Sequence, residues 1–489
     1  MANVTSEAAV KDGLVEHSVE VQTPNTDILP PVQRCSDDIL RLILEECVLD
    51  ECIPIDGRLD EDEAFRTSVR LSHVCGQWRA VAISTPSLWK KVNFSLNVDT
   101  EKNNSLAEVF TARVKHVPAD IRIVAYSGHM DEDQLAVMRS SKYAYLRRAV
   151  SVASIDTLTM ALFGEADFGP FLIGNMDILY DKAIENLSIQ LNKYTDEPID
   201  PFIAKCLPMR RLSLRNLRFG STLDKHLSLG LANVTELSIS TVYHFSLLSI
   251  LRITPMIQKL ELWDYYTDDP THSDEVWQSS TLRSLSVFYS RIPWEHIRCP
   301  QLTRIQLPMR QINYIGFWPF LKRTVTITEV SGAHIITPQD FVRLANTSPQ
   351  ITSLITHARP GLLELLTDSQ NFELQEPVFP NLIRLTILIK EDNVPYLTLE
   401  RFIRARCLPR NHILSTLDHR LAHSLEALTV IIKRDLFNGR WKRLLEANFI
   451  RISLSLQSDF MIDVTSNFLM WRTARVHVWD NFDAQPLEL

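Results

Sequence analysis

The sequence predicts an α/β solenoid preceded by a small helical bundle. Three observations predict it. First, a unit of the form apolar-x-x-apolar-x-apolar recurs, with central leucines at Leu187, Leu212, Leu237, Leu260 and Leu285, offset by 25, 25, 23 and 25 residues. A fixed period in this range marks stacked structural units, none of which buries its apolar face alone. Second, two amphipathic stretches at residues 37–47 and 71–82 precede the array, and a proline stops the second. Third, 489 residues with 45% hydrophobic side chains exceed one ordinary domain but suit an array.

The elements follow in chain order. Residues 1–28 are polar and without pattern, and they are expected to be disordered. Ile39, Leu40, Ile43, Leu44 and Cys47 fall on one helical stripe, with Ser36, Asp37 or Asp38 placed to cap its start. Residues 49–63 carry seven carboxylates against the single Arg58, an acidic loop that reads as a solvated linker or as a docking segment. Leu71, Val74, Cys75, Trp78, Val81 and Ala82 recur at three and four residues and predict one helical face. Thr85-Pro86 ends that helix, because proline lacks an amide donor and disfavours helix in the residue before it. Leu88 and Trp89 follow as apolar anchors.

Val74-Cys75-Gly76-Gln77-Trp78-Arg79-Ala80-Val81-Ala82, with Thr85-Pro86-Ser87-Leu88-Trp89, resembles the second half of an F-box in the form common among fungal F-box-like proteins. Asp37-Asp38-Ile39-Leu40-Arg41-Leu42-Ile43-Leu44 is similar to the first helix of that family. There the family's Leu-Pro aligns with Cys35-Ser36, while Leu29-Pro30-Pro31 lies six residues earlier. The resemblance implies an F-box-like helical domain at residues 29–95 that docks a Skp-type adaptor. It assigns adaptor contact to Ile39, Leu40, Ile43 and Leu44, with help from Val74 and Trp78.

Beyond residue 96 the period and pattern resemble leucine-rich repeats. Leu302/Ile305/Leu307, Leu382/Leu385/Ile387 and Leu425/Leu428/Val430 continue the series. Residues 119–124 and 150–152 are expected as earlier strands, and residues 244–251 as a return helix. Residues 311–375 fit the pattern poorly, so the repeats are expected to be irregular. The expectation is thus a helical F-box bundle followed by a leucine-rich-repeat-like solenoid over residues 96–489.

Composition excludes several functions. A net charge of -8 argues against nucleic acid as the main partner, since phosphate binding needs concentrated positive charge. No apolar run is long enough to span a bilayer, and residues 1–10 lack the pattern of a secretory signal. The seven cysteines are scattered, with no C-x-x-C, which disfavours a disulfide framework or a structural zinc site. With 13 glycines and no phosphate-cradle, nucleophile-elbow or zincin motif, no catalytic site is expected. His419 and His423 share a helical spacing but lack further ligands, so neither a metal nor another cofactor is expected.

Binding residues are sought between the inward leucines. Arg211 and Arg215 point one way in a cluster with Lys205, Arg210 and Arg218, which reads as a receptor for an acidic segment or as a solvated basic edge. Trp263 and Phe288 share a register in adjacent repeats, and read either as an exposed hot spot or as rings folded onto the strand end. The family resemblance then implies a non-catalytic receptor in the cytoplasm, the nucleus or both. It would join an unknown protein substrate to a Skp adaptor, a cullin and a ubiquitin ligase. A repeat scaffold that no longer binds the adaptor is the alternative.

Overall fold

The computed structural model describes residues 35–49, 63–96, 100–114, 116–126, 144–152, 154–163, 183–191, 209–217, 231–241, 251–263, 276–288, 290, 292–307, 316–332, 337–357, 360–367, 378–389, 397–399, 401–402, 425, 427–433, 450–454, 461–466 and 473–479. Residues 1–28, 50–62 of the acidic segment, 244–250 of the expected return helix, and His419 and His423 lie outside them.

Helices α1 (Asp37–Leu49), α2 (Glu63–Ser72) and α3 (Gly76–Ser84) come first, followed by a 3-10 turn at Pro86–Trp89. The Ser36 hydroxyl accepts the Ile39 N–H at 3.4 Å, so Ser36 is the cap of α1. Leu40, Leu44, Val81, Ala82, Leu88 and Trp89 form one buried cluster. The single helix expected over residues 71–82 is two helices. It breaks at His73, Val74 and Cys75, where Cys75 is extended, and it restarts at Gly76. The Arg79 side chain donates to the Ser72 carbonyl and ties the two pieces together.

The strands are β1 (Lys91–Ser95), β2 (Ala119–Tyr126), β3 (Ile155–Phe163), β4 (Ile184–Leu191), β5 (Arg211–Arg215), β6 (Glu236–Ser240), β7 (Lys259–Trp263), β8 (Trp277–Gln278), β9 (Ser284–Phe288), β10 (Ile297–Arg298), β11 (Arg304–Gln306), β12 (Glu329–Ser331), β13 (Ser353–His357), β14 (Arg384–Ile389), β15 (Ala427–Lys433), β16 (Ile450–Leu454), β17 (Met461–Ser466) and β18 (Thr473–Trp479). Among the described residues, sixteen of them form one sheet in the order β1-β2-β3-β4-β5-β6-β7-β9-β11-β12-β13-β14-β15-β18-β17-β16. Pairing is parallel from β1 to β18 and antiparallel only at β17 and β16. β8 and β10 make a separate parallel pair.

The register explains the repeat. Leu187, Leu212, Leu237, Leu260 and Leu285 lie side by side across β4 to β9. Ile305, Val330, Leu354 and Leu385 continue the row, and Leu158, Ile121 and Val92 extend it backwards. All are buried in one continuous core. Parallel neighbours need a long return path, and the spacing of about 25 residues supplies it. Helices at Phe317–Arg323, Pro338–Thr347 and Pro360–Thr367 occupy three of these returns, and their apolar sides join the same core. The architecture is therefore α/β, with helices on one face of a mostly parallel sheet.

Three further expectations change. Residues 150–152 end a helix (Ala144–Val152) rather than forming a strand, because Leu146, Ala149 and Val150 are buried at helical spacing; the strand is β3. Residues 311–375 hold β12 and β13 in full register, with Val330 and Leu354 as their inward residues. The sheet starts at Lys91, before the expected boundary at 95/96, and α4 (Thr100–Val114) also reaches back across it. Val109 packs on the helical cluster, and the Arg113 guanidinium lies 4.0 Å above the Trp89 ring. No helix among the described residues is long and apolar enough to cross a membrane.

Candidate functional site

Two surfaces carry the candidate residues. The first is α1. Its apolar stripe spans a broad arc, and the cluster beneath covers only half of it. Leu40 and Leu44 are 0% exposed and serve the internal core, so they are not surface contacts as expected. Ile39 is 51% exposed, Ile43 39%, and Leu42, which sequence reasoning passed over, 67%. These three sit at i, i+3 and i+4, so they form one ridge. Val74 is exposed in the break between α2 and α3. Trp78 is half-buried against the cluster, and its indole N–H is buried with no hydrogen-bond partner among the described residues.

Cys35 and Ser36, immediately before α1, are held inward. The Gln77 side-chain amide donates to the Cys35 carbonyl and to an Asp37 carboxylate oxygen, both at 3.1 Å. Cys35 is packed on the cluster, and Ser36 is consumed as the cap. Ser87 donates to Glu45 at 2.6 Å, and Ser68 to the Leu88 carbonyl at 2.7 Å. The first bond fixes α1, and the second α2, against the Pro86–Trp89 turn.

The second surface is the sheet face opposite the helices. Its residues alternate with the inward leucines and run in rows across the strands. The first row reads Lys91, Asp120, Thr157, Asn186, Arg211, Glu236, Lys259. Burial pushes the Asp120 carboxyl above the ordinary carboxylate range; Lys90 and Lys91 pull it down, and Asp156 adds to the rise. The middle row is mostly small hydroxyls, with Ser188, Ser213 and Ser238 in succession. Together the first two rows line a depression of about 270 Å³ running from Thr157 to Glu261.

Two of the five residues of the expected basic cluster, Arg210 and Arg211, are ion-paired. Arg211 pairs with Glu236 at 3.0 Å, its register neighbour one strand on, and Arg210 pairs with Glu185 at 3.2 Å. Lys259 pairs with Glu261 at 3.0 Å and Arg304 with Glu329 at 2.7 Å. Arg215 is exposed and has no ion pair among the described residues; Lys205 and Arg218 lie outside them. Trp263 and Phe288 are in register, half-buried, and stacked with ring centroids 3.8 Å apart and planes 16° apart. They pack on each other, which neither sequence reading anticipated.

Among the described residues, no group of three or more His, Cys, Asp or Glu side chains is placed to hold a metal ion. Buried Cys299 has its thiol pushed up to about 12 by desolvation, so it stays protonated and unreactive. No protein-family model matches the chain, and no curated protein matches it.

Proposed function

We propose that the chain is the substrate-recognition subunit of a Skp-cullin-F-box type ubiquitin ligase. In this reading α1 to α3 and the Pro86–Trp89 turn are the F-box. The sheet and its return helices are an irregular leucine-rich-repeat solenoid whose polar face holds the target protein. The observation that carries the reading is the ridge of Ile39, Leu42 and Ile43, apolar and exposed on a helix whose other side is locked into a core. Such a ridge is what a helix presents to a partner's groove. The chain itself performs no chemistry. It holds the target near the conjugating enzyme and so raises the target's effective concentration there. The compartment is the cytoplasm, the nucleus or both.

A second reading, a repeat scaffold that does not bind the adaptor, is favoured by one observation. The Cys35-Ser36 pair that replaces the family's Leu-Pro is engaged internally, through Gln77 and the α1 cap. Capture of purified Skp adaptor by the full-length chain separates the two. Wild type is expected to capture it. Leu42→Asp, which changes an exposed side chain, is expected to weaken capture at least tenfold with an unchanged circular dichroism spectrum. Leu40→Asp is unsuitable, because it buries a charge in the core. A folded wild-type chain that captures no adaptor leaves the scaffold reading.

A further inference from the structure

Among the described residues, the third row of the polar sheet face has a short side chain beside a large one. Across the strands the third outward position reads Gln190, Arg215, Ser240, Trp263 and Phe288. The Trp263 and Phe288 rings are stacked along this row at 3.8 Å. One face of the indole is therefore taken by Phe288, and the other is turned toward β6. The residue there is Ser240, too short to cover an indole. One strand further stands Arg215, exposed and without an ion pair among the described residues.

The span suits one planar group. Neighbouring strands lie about 4.8 Å apart, so β5 and β7 are separated by roughly 9.6 Å. Two further layers at the 3.8 Å spacing of the existing stack fit within that distance. The slot would be bounded by an indole face, a serine floor and a guanidinium. A ring between them gains π-stacking on one side and a cation–π contact on the other. The charges of the two other rows nearby are already paired, Arg211 with Glu236 in the first row and Lys259 of the first row with Glu261 of the middle row, so Arg215 sets the local charge preference.

We propose that the slot above Ser240 receives one aromatic side chain of the target protein, held between Trp263 and Arg215, and that the target segment is acidic around that ring. This names the target class for the sheet face and rests on the assignment of target binding to it.

The test uses the full-length chain and two labelled probes, acetyl-Glu-Glu-Tyr-Glu-Glu-amide and the same peptide with alanine for tyrosine, titrated by fluorescence anisotropy. The tyrosine peptide is expected to bind at least tenfold more tightly. Ser240→Phe, which fills the slot from an outward position, is expected to erase that difference. Arg215→Ala is expected to weaken binding about fivefold and to flatten its salt dependence. Trp263→Leu is the second route to the same loss if Ser240→Phe alters the circular dichroism spectrum. Equal affinity for the two peptides, binding of neither, or an unchanged preference in folded Ser240→Phe overturns the proposal. Adaptor capture by the same samples reads the receptor assignment separately, because it depends on α1. A chain that captures adaptor but does not discriminate the peptides overturns the slot alone. A chain that discriminates without capturing adaptor supports the slot and overturns the ligase assignment.

Discussion

Replacing Trp89 by phenylalanine tests how the helical cluster is joined to the sheet. The indole is fully buried, donates to the Ala82 carbonyl at 2.8 Å, and lies under the Arg113 guanidinium at 4.0 Å. Phenylalanine removes the donor. The Ala82 carbonyl keeps the Thr85 N–H at 3.3 Å, so this loss is at the mild end, about 1 kcal/mol. The smaller ring leaves part of the site unfilled, for about 1–2 kcal/mol more. It also weakens the cation–π contact, which is worth roughly 0.5–1 kcal/mol. The total is about 2–4 kcal/mol, read from native-state hydrogen exchange of the α3 amides. A double-mutant cycle with Arg113→Met keeps the aliphatic cover and isolates the charge, with an expected coupling of about 0.5 kcal/mol, because the phenylalanine ring retains part of the cation–π contact. A Trp89→Phe loss well below about 1 kcal/mol, or additivity within about 0.3 kcal/mol, would refute this account of the junction.

Three further outcomes are expected. Asp120 has its folded pKa raised by burial, so its favourable contribution is complete below the unfolded pKa and is lost as pH rises through the folded one. Asp120→Asn should therefore be at least as stable as wild type at neutral pH, with the advantage fading as pH falls into the carboxylate range near about 4; a lower urea midpoint at neutral pH would contradict this. Native protein treated with a thiol reagent at mildly alkaline pH should label exposed Cys47 and spare Cys299, as mapped by mass spectrometry; rapid Cys299 labelling would count against its burial. Thr337 caps the helix at Pro338–Thr347 by accepting the Asp340 N–H and donating to the Asp340 carboxylate, so Thr337→Ala should cost about 1 kcal/mol in thermal or urea unfolding, and a neutral result would refute the cap.

The parallel ladder was legible because its signal is local and repeated: Leu187, Leu212 and Leu237 each sit in the same short pattern at a nearly constant offset. β12 and β13 escaped because Val330 and Leu354 keep the inward residue and its upstream apolar partner, Ile327 and Ile351, but have Gly332 and Thr356 where the pattern's third apolar residue stands. The helix break at residues 73–75 left one signal, Gly76, a poor residue for a helix interior. The split of α1 was illegible in periodicity, which identifies an apolar arc but not how much of it a neighbour covers, so Leu40 and Ile39 looked equivalent. The pairing of Arg211 was written in the register: Glu236 occupies the same place one unit on, and strand neighbours at that distance attract. The Trp263–Phe288 register was visible too, but the choice of each ring to stack on the other depends on side-chain geometry that spacing does not encode.

The offset from one unit to the next is not constant, yet after a single shift at Ala119/Asp120 the described strands from β3 to β15 keep register. Ser286 meets Gln306 across 20 residues, while Arg304 meets Glu329 across 25. Gains and losses of length are absorbed in the return segments, and the strands keep phase. The chain is thus editable in whole units. Removing residues 213–237 would join Leu212 to Ser238 and leave the inward alternation uninterrupted, since Ser213 and Ser238 hold the same place in their strands. The outer rows would then bring Arg211 beside Lys259 in place of its paired Glu236, so a cut that leaves the core in step redraws the surface charge.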